Sequence, residues 1–181
     1  MTWTTDPDHV SIQFSAKHML VATVRGHFNE YEVDAFIDEQ ELTNSRATFT
    51  IHAASLESRN RERDAHLRSA DFLDVENHPV ITFVSRSIEE RGKNNFRIHG
   101  DLTIRGVTRP VSFDTEVHGP FVDPWGTERI SLTANGKVNR KDFGLTWNMA
   151  LEAGGVMVGE EVKLSLEAEL VKVPEPALAA V

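Results

Sequence analysis

Two short stretches gather cations that could hold an anion: Arg59, Arg61, Arg63 and Arg68 in the first, Arg140 and Lys141 in the second. Cationic side chains converging on one point bind a phosphate or quinone head group through charge-assisted hydrogen bonds. Arg59, Arg61, Arg68 and Lys141 are therefore the candidates for a polar anchor. The competing account keeps these residues at home. Glu62, Asp64, Asp71 and Asp142 stand beside them, and surface charge clusters mostly serve solvation and local pairing. By adjacency, Arg63 with Asp64 and Arg140 with Asp142 read as structural pairs.

Catalytic and metal chemistry are thinly represented. The histidines His9, His18, His27, His52, His66, His78, His99 and His118 are scattered, and no pair has the spacing of a helical metal site. Cysteine is absent, which removes thiolate ligands, thiol nucleophiles and disulfides together. No metal is expected. There is no GxSxG elbow, phosphate-cradling glycine loop or dinucleotide fingerprint, so no catalytic residue is assigned and no cofactor is required. One enzymatic reading stays open, with His18 and Asp64 as an acid–base pair acting on a small apolar substrate. His18 ends a strand at a phase break, from where it reaches either the interior or the backbone groups of the turn.

The elements that must position these groups follow from periodicity. Val10, Ile12, Phe14 and Ala16 alternate with polar residues, as in a strand with one dry face. Val24, Gly26 and Phe28 begin a second such run, which continues through Val33 to Ile37, and Ala47 to Ala54 forms a third. Further runs cover Ile81–Ser85, Phe96–Arg105, Val111–Val117, Ile130–Val138 and Val162–Val171. The segment from Gly119 to Thr127 reads as a loop by its Gly and Pro content. The rhythm breaks between Arg59 and Phe83. There Leu67 and Ala70 fall three apart and Arg63, Leu67 and Asp71 four apart, predicting a helix of about two to three turns capped by Asn60. Pro79 ends the break and starts the next strand.

About eight strands joined by short polar turns predict an all-β antiparallel sheet, and closing it into a barrel removes its exposed edges. The helix then covers one end. A chain of 181 residues, 40% apolar and 26% charged, fits a single domain over 1–181. Its core is expected over 8–173, with 174–181 as a flexible tail. A net charge of -9 argues against a nucleic-acid partner. No apolar run approaches the ~20 residues of a spanning helix. The first residues carry no basic segment followed by an apolar one, so the expected compartment is the cytoplasm.

Whether such a barrel is hollow depends on its inward residues. Phe14, Phe28, Phe49, Phe83, Phe96 and Phe113 share the interior with small residues including Ala16, Gly26, Gly100, Ala134 and Gly136. Either the small residues leave a tunnel, or they only permit curvature while the phenylalanines fill the space. The residues expected to line a tunnel are Phe14, His18, Phe28, Phe49, Phe83, Leu102, Phe113, Leu132, Phe143, Trp147, Met149 and Leu164. Such a wall would take a long apolar molecule rather than a sugar or nucleotide. Replacing Gly100 or Ala134 by Phe is expected to block it without unfolding the barrel. Strand phase places His27, His52 and His99 on the wet face.

Four blocks in order, FSAKHMLVATVRGHF from Phe14, RERDAHLRSADFLDVENHPVITFVS from Arg61, GDLTIRGVTRPVSF from Gly100 and NRKDFGLTW from Asn139, resemble the YceI-like family of bacterial polyisoprenoid-binding proteins. The likeness runs from Asp8 to Val173. It implies an extended lipocalin-like barrel with helical segments near its mouth, an isoprenoid lipid as ligand, and often a homodimer. The expected function is then binding, sequestration or transport of a prenyl quinone or polyprenyl phosphate, with transient membrane contact compatible with it. The alternatives are the small-substrate enzyme and a stress-related interaction protein with a filled core. Many relatives carry a secretory signal, which this sequence does not show.

Overall fold

Alternation gives every strand one dry face, and antiparallel pairing carries that face across the whole chain. The computed structural model describes residues 2–174, and the expected tail lies outside them except for Pro174. In chain order the elements are β1 (Thr2–His18), β2 (Ala22–Phe28), β3 (Tyr31–Phe36), β4 (Arg46–His52), β5 (Leu56–Glu57), α1 (Arg61–Arg68), β6 (Val80–Gly92), β7 (Asn95–Ile104), β8 (Val107–Val122), β9 (Glu128–Asn139) and β10 (Val158–Val173). They form one antiparallel sheet in the order β3-β4-β6-β7-β8-β9-β10-β1-β2-β5. The sheet curls so that β3 packs back on β1. The backbone bonds Asn29 N–H to Ser55 O, 3.3 Å, and His52 N–H to Glu30 O, 3.0 Å, close the seam between its edges.

Ten strands replace the expected eight or so, for two reasons. The run from Val24 to Ile37 is broken at Asn29 and Glu30, and β3 lies at the opposite edge of the sheet from β2 and β5. The two residues of β5 are too few to show a period. The first strand also begins at Thr2, and β8 runs through Gly119 and Pro120 to Val122 by means of a bulge between His118 and Phe121. The turn that remains is held by the Asp123 carboxylate, which accepts the Trp125 and Thr127 N–H groups at 2.9 Å.

The predicted helix is present. Asn60 accepts the Arg63 N–H at 2.9 Å, satisfying one of the orphan donors of the first turn. Its carboxylate neighbour Asp64 is buried and accepts from the N–H and hydroxyl of Ser58. The chain after α1 folds Phe72 and Leu73 over the barrel end, against Leu56, Phe143 and Leu145. At the far end Trp3, Ile130 and Leu170 make a second, smaller cluster.

Three inward glycines serve as seats for aromatic rings. A Cβ at Gly26 would run into the Phe14 ring, one at Gly100 into the Phe83 ring, and one at Gly136 into the Phe113 ring. The ring of a nearby residue covers each bare backbone. This corrects the expectation for Gly100→Phe: the space beside Gly100 is already occupied, and the Val84 carbonyl would lie 2.5 Å from the new Cβ. Even Gly100→Ala should cost about 1–3 kcal/mol of stability in urea unfolding.

An ion-pair group staples the far end. Arg129 holds Asp6 and Asp123 at 2.8 Å and Glu169 at 3.0 Å. Lys172 bridges Glu39 and Glu128, at 2.8 and 3.2 Å. The Arg129 guanidinium, aided by His9, lowers Asp6 from 3.8 to about 2. A carboxylate depressed in the folded state stabilises above its ordinary value and loses that contribution as pH falls through the folded one. The melting temperature of the native chain should therefore drop between pH 3.8 and about 2, and by less in Asp6→Asn.

Candidate ligand-binding cavity

The curled sheet encloses a cavity of about 310 Å³ running from Leu67, Phe72 and Leu145 at the helix end to Ile37, Leu42 and Leu170 at the far end. Nine of the residues expected to line it do so: Phe14, Phe28, Phe49, Phe83, Leu102, Phe113, Leu132, Phe143 and Leu164. Phe14, Phe28, Phe49, Phe83, Phe113, Leu132 and Leu164 point inward and are only half-buried. In a filled core they would be fully buried. Their free surface borders the void.

His18, Trp147 and Met149 do not line the cavity. His18 pairs with Ala22 and Val158 at the strand end, beyond Ala16, the last β1 residue on the wall. Trp147 stands one layer out, edge-on to His66 at 4.6 Å and 5.4 Å from the Phe72 ring, with Phe72 itself on the wall. Met149 is exposed on the loop before β10. Sequence reasoning missed the roof, Phe72, Leu73 and Leu145, and the wall formed by Val33 and Ala35 of β3 with Ile37 just after it. The β3 alternation was visible, whereas the roof follows a helix and obeys no period.

None of the four anchor candidates reaches the wall. Arg59 and Arg61 are exposed at the start of α1. Arg68 donates to the carbonyls of Ala54 and Leu56, and Lys141 pairs with Glu160 at 2.5 Å. Nor do the two adjacent pairs form. Arg63 donates to the hydroxyl and carbonyl of Ser58, because the i,i+1 geometry of a helix turns Arg63 and Asp64 to different sides. The Asp64 carboxylate is committed to Ser58 and is absent from the wall, so His18 and Asp64 do not face a common substrate there.

Arg140 is the buried cation of the wall. Its Nε donates to Gly159 O at 2.9 Å, Nη1 to Leu145 O and Trp147 O at 2.6 and 2.9 Å, and Nη2 to Val158 O at 3.3 Å. Burial pushes its pKa below the usual arginine value, with Glu160 opposing. Asn148 adds bonds of 2.8 and 2.9 Å to the Val158 carbonyl and N–H. Together they strap the 144–157 segment to β10. Among the described residues, Asp6, His9 and Glu169 converge as metal-type donors, but Arg129 already supplies positive charge to both carboxylates.

No histidine or carboxylate lies on the cavity wall among the described residues. The polar lining is limited to Thr5, Gln13, Ser45, Ser85, Thr115, Ser165 and the arginines Arg46 and Arg140. The molecule is thus a lipocalin-like antiparallel barrel, hollow and apolar inside, with one end roofed by a short helix.

The chain belongs to the YceI-like domain family, whose model matches residues 3–170. A UPF0312 protein of Staphylococcus epidermidis is 39% identical over 165 residues, covering 91% of this chain and 94% of the relative. One from Staphylococcus aureus is 37% identical over 168 residues, covering 92% and 95%. Among solved structures, BcnA of Burkholderia cenocepacia aligns with a TM-score of 0.80 at 20% identity over 92% of this chain and 99% of that one. The Campylobacter jejuni YceI protein aligns at 0.73 with 28% identity, over 87% and 90%. A polyisoprenoid binding domain from Saccharophagus degradans aligns at 0.68 with 12% identity, over 96% and 99%.

Replacing Arg140 by Leu removes its hydrogen bonds to four carbonyls, of which Val158 O keeps Asn148 as a donor, and should cost ~2–4 kcal/mol in urea unfolding. Limited proteolysis should then cut first within 144–157. Arg140→Lys should recover only part of the loss, because an ammonium cannot reproduce the planar fork.

Proposed function

We propose that the chain binds one isoprenoid lipid, a prenyl quinone or polyprenyl phosphate, and sequesters or carries it inside the barrel. The observation that carries this reading is the ring of inward phenylalanines and leucines left half-buried around an apolar void. A void of this size falls at the small end of ligand pockets, and methyl-branched chain entering it gains ~25 cal/mol per Å² of apolar surface buried, less the cost of ordering. The Saccharophagus degradans polyisoprenoid binding domain shares the fold, which supports the ligand class by analogy. A wall without a histidine or carboxylate favours a binding protein over an enzyme. No helix among the described residues is long and apolar enough to cross a membrane.

Native mass spectrometry of the purified chain, followed by organic extraction, should show one prenyl lipid per chain. Ala35 and Ala47 face each other across β3 and β4 and both line the cavity. The double variant Ala35→Leu, Ala47→Leu should fill part of it, raising apoprotein stability by about 0.5–2 kcal/mol and reducing uptake of added prenyl quinone. A clean apoprotein that takes up neither prenyl quinone nor polyprenyl phosphate would overturn the reading.

A further inference from the structure

The turn between β1 and β2 places large apolar residues where the backbone favours small polar ones. Met19 and Leu20 stand at φ 50° and 66°, the left-handed region that suits Asn or Gly. They are 46% and 66% exposed, and Val21 is 83% exposed. Backbone preference does not account for them and much of their surface stays exposed, and strain kept at such a position points to use. The 148–157 loop joins this turn into one surface. The Met19 N–H donates to Met157 O at 2.8 Å, Leu20 packs over Gly155, and the exposed side chains of Met149 and Val156 extend the patch. Glu152 is its single carboxylate.

Behind this tip the outer sheet face is cationic, against the charge of a chain that carries -9 overall. Ser15 lies between Arg25 on β2 and Lys163 on β10, and Lys163 faces Lys137 on β9, so the three cations share one row. Lys17 stands one step nearer the tip. Lys17, Arg25 and Lys163 have no carboxylate within 4.0 Å among the described residues, while Glu160 and Glu161 are occupied by Lys141 and Lys137 at 2.5 and 3.2 Å. Asp142 is exposed beside this row, and Glu62, Asp71 and Glu76 are exposed on and after α1, away from the row itself. The opposite end also exposes Phe121, Val122 and Trp125, but its cations Arg129 and Lys172 are already engaged by Asp6, Asp123, Glu169, Glu39 and Glu128 and are not free to meet lipid phosphates.

An apolar tip backed by unpaired cations matches the interface of an anionic bilayer, where the tip enters the headgroup boundary and the cations meet lipid phosphates. We infer that the β1–β2 turn and the 148–157 loop form a docking surface for an anionic phospholipid membrane. Leu145 and Val158, on either side of that loop, line the cavity, so docking brings the helix end of the cavity to the bilayer. The inference deepens the lipid-binding reading and rests on it for its purpose, though not for its geometry.

The test is co-sedimentation of the full chain with vesicles of phosphatidylcholine alone and of phosphatidylcholine mixed with phosphatidylglycerol, together with uptake of a prenyl quinone from detergent. The native chain should bind the mixed vesicles more tightly, and added salt should weaken that binding. Leu20→Asn with Val21→Ser should lower the partition coefficient roughly tenfold while leaving quinone uptake unchanged. Because Asn suits the backbone at Leu20, the melting temperature of this variant should hold or rise, which excludes unfolding as the cause. Lys17→Glu with Lys163→Glu should abolish the preference for phosphatidylglycerol. Equal binding of native and tip variants, no binding of the native chain to either vesicle, or loss of binding in Trp125→Ala would overturn the inference. Vesicle binding without quinone uptake would sink the cavity's ligand assignment and leave the docking surface standing.

Discussion

Everything in this molecule depends on a constraint of area. A sheet of ten antiparallel strands, curled to meet itself, has more inner face than its own side chains can fill. The chain meets that constraint locally, by setting phenylalanine rings on bare glycine backbone at Gly26, Gly100 and Gly136. It also plugs the ends, with Phe72, Leu73 and Phe143 on one side and Trp3, Ile130 and Leu170 on the other. Between the plugs the rings still border empty space, and the void is the consequence of the architecture. An apolar void is poorly hydrated, so a hydrocarbon chain can occupy it without displacing well-bound water.

The two ends are held by different physics. At the far end, charged groups with solvent access form networks around Arg129 and Lys172, whose strength follows pH and salt. At the helix end, a buried guanidinium is satisfied by backbone carbonyls alone, and this strap is insensitive to screening. The roof beyond that strap combines Arg140, Asn148 and the edge-on rings of His66, Phe72 and Trp147. The polar strap fixes the two roots of a loop whose middle remains apolar and exposed. The proposed lipid binding would draw on both, a fixed frame around a surface that tolerates hydrocarbon.

Every strand but β5, though with β2 and β3 read as one run, was legible in the sequence, as were the helix with its Asn60 cap and nine of the wall residues, because alternation and capping are properties of neighbours. A period of two says which residues face inward whatever the strand pairs with. The resemblance carried by four ordered blocks added the hollow interior that alternation alone left undecided. It did not place the polar residues. Arg68 and Lys141 read as free cations, and only the folded chain shows the Ala54, Leu56 and Glu160 groups that engage them.

What the sequence by itself determined was the class of fold, the dry faces and the identity of the inward aromatics. Tertiary structure alone decided which strand lies beside which, and so it alone carried β3 to the far edge and stationed Trp147 behind Phe72. It also brought Asp6 to Arg129 through an irregularity in β1 between Thr5 and Val10, and surrounded Arg140 with the carbonyls of residues up to nineteen positions away. The physical reason is range. Dihedral preference and hydrophobic period act over a few residues, whereas hydrogen-bond partners of buried polar groups are chosen by register between segments remote in the chain.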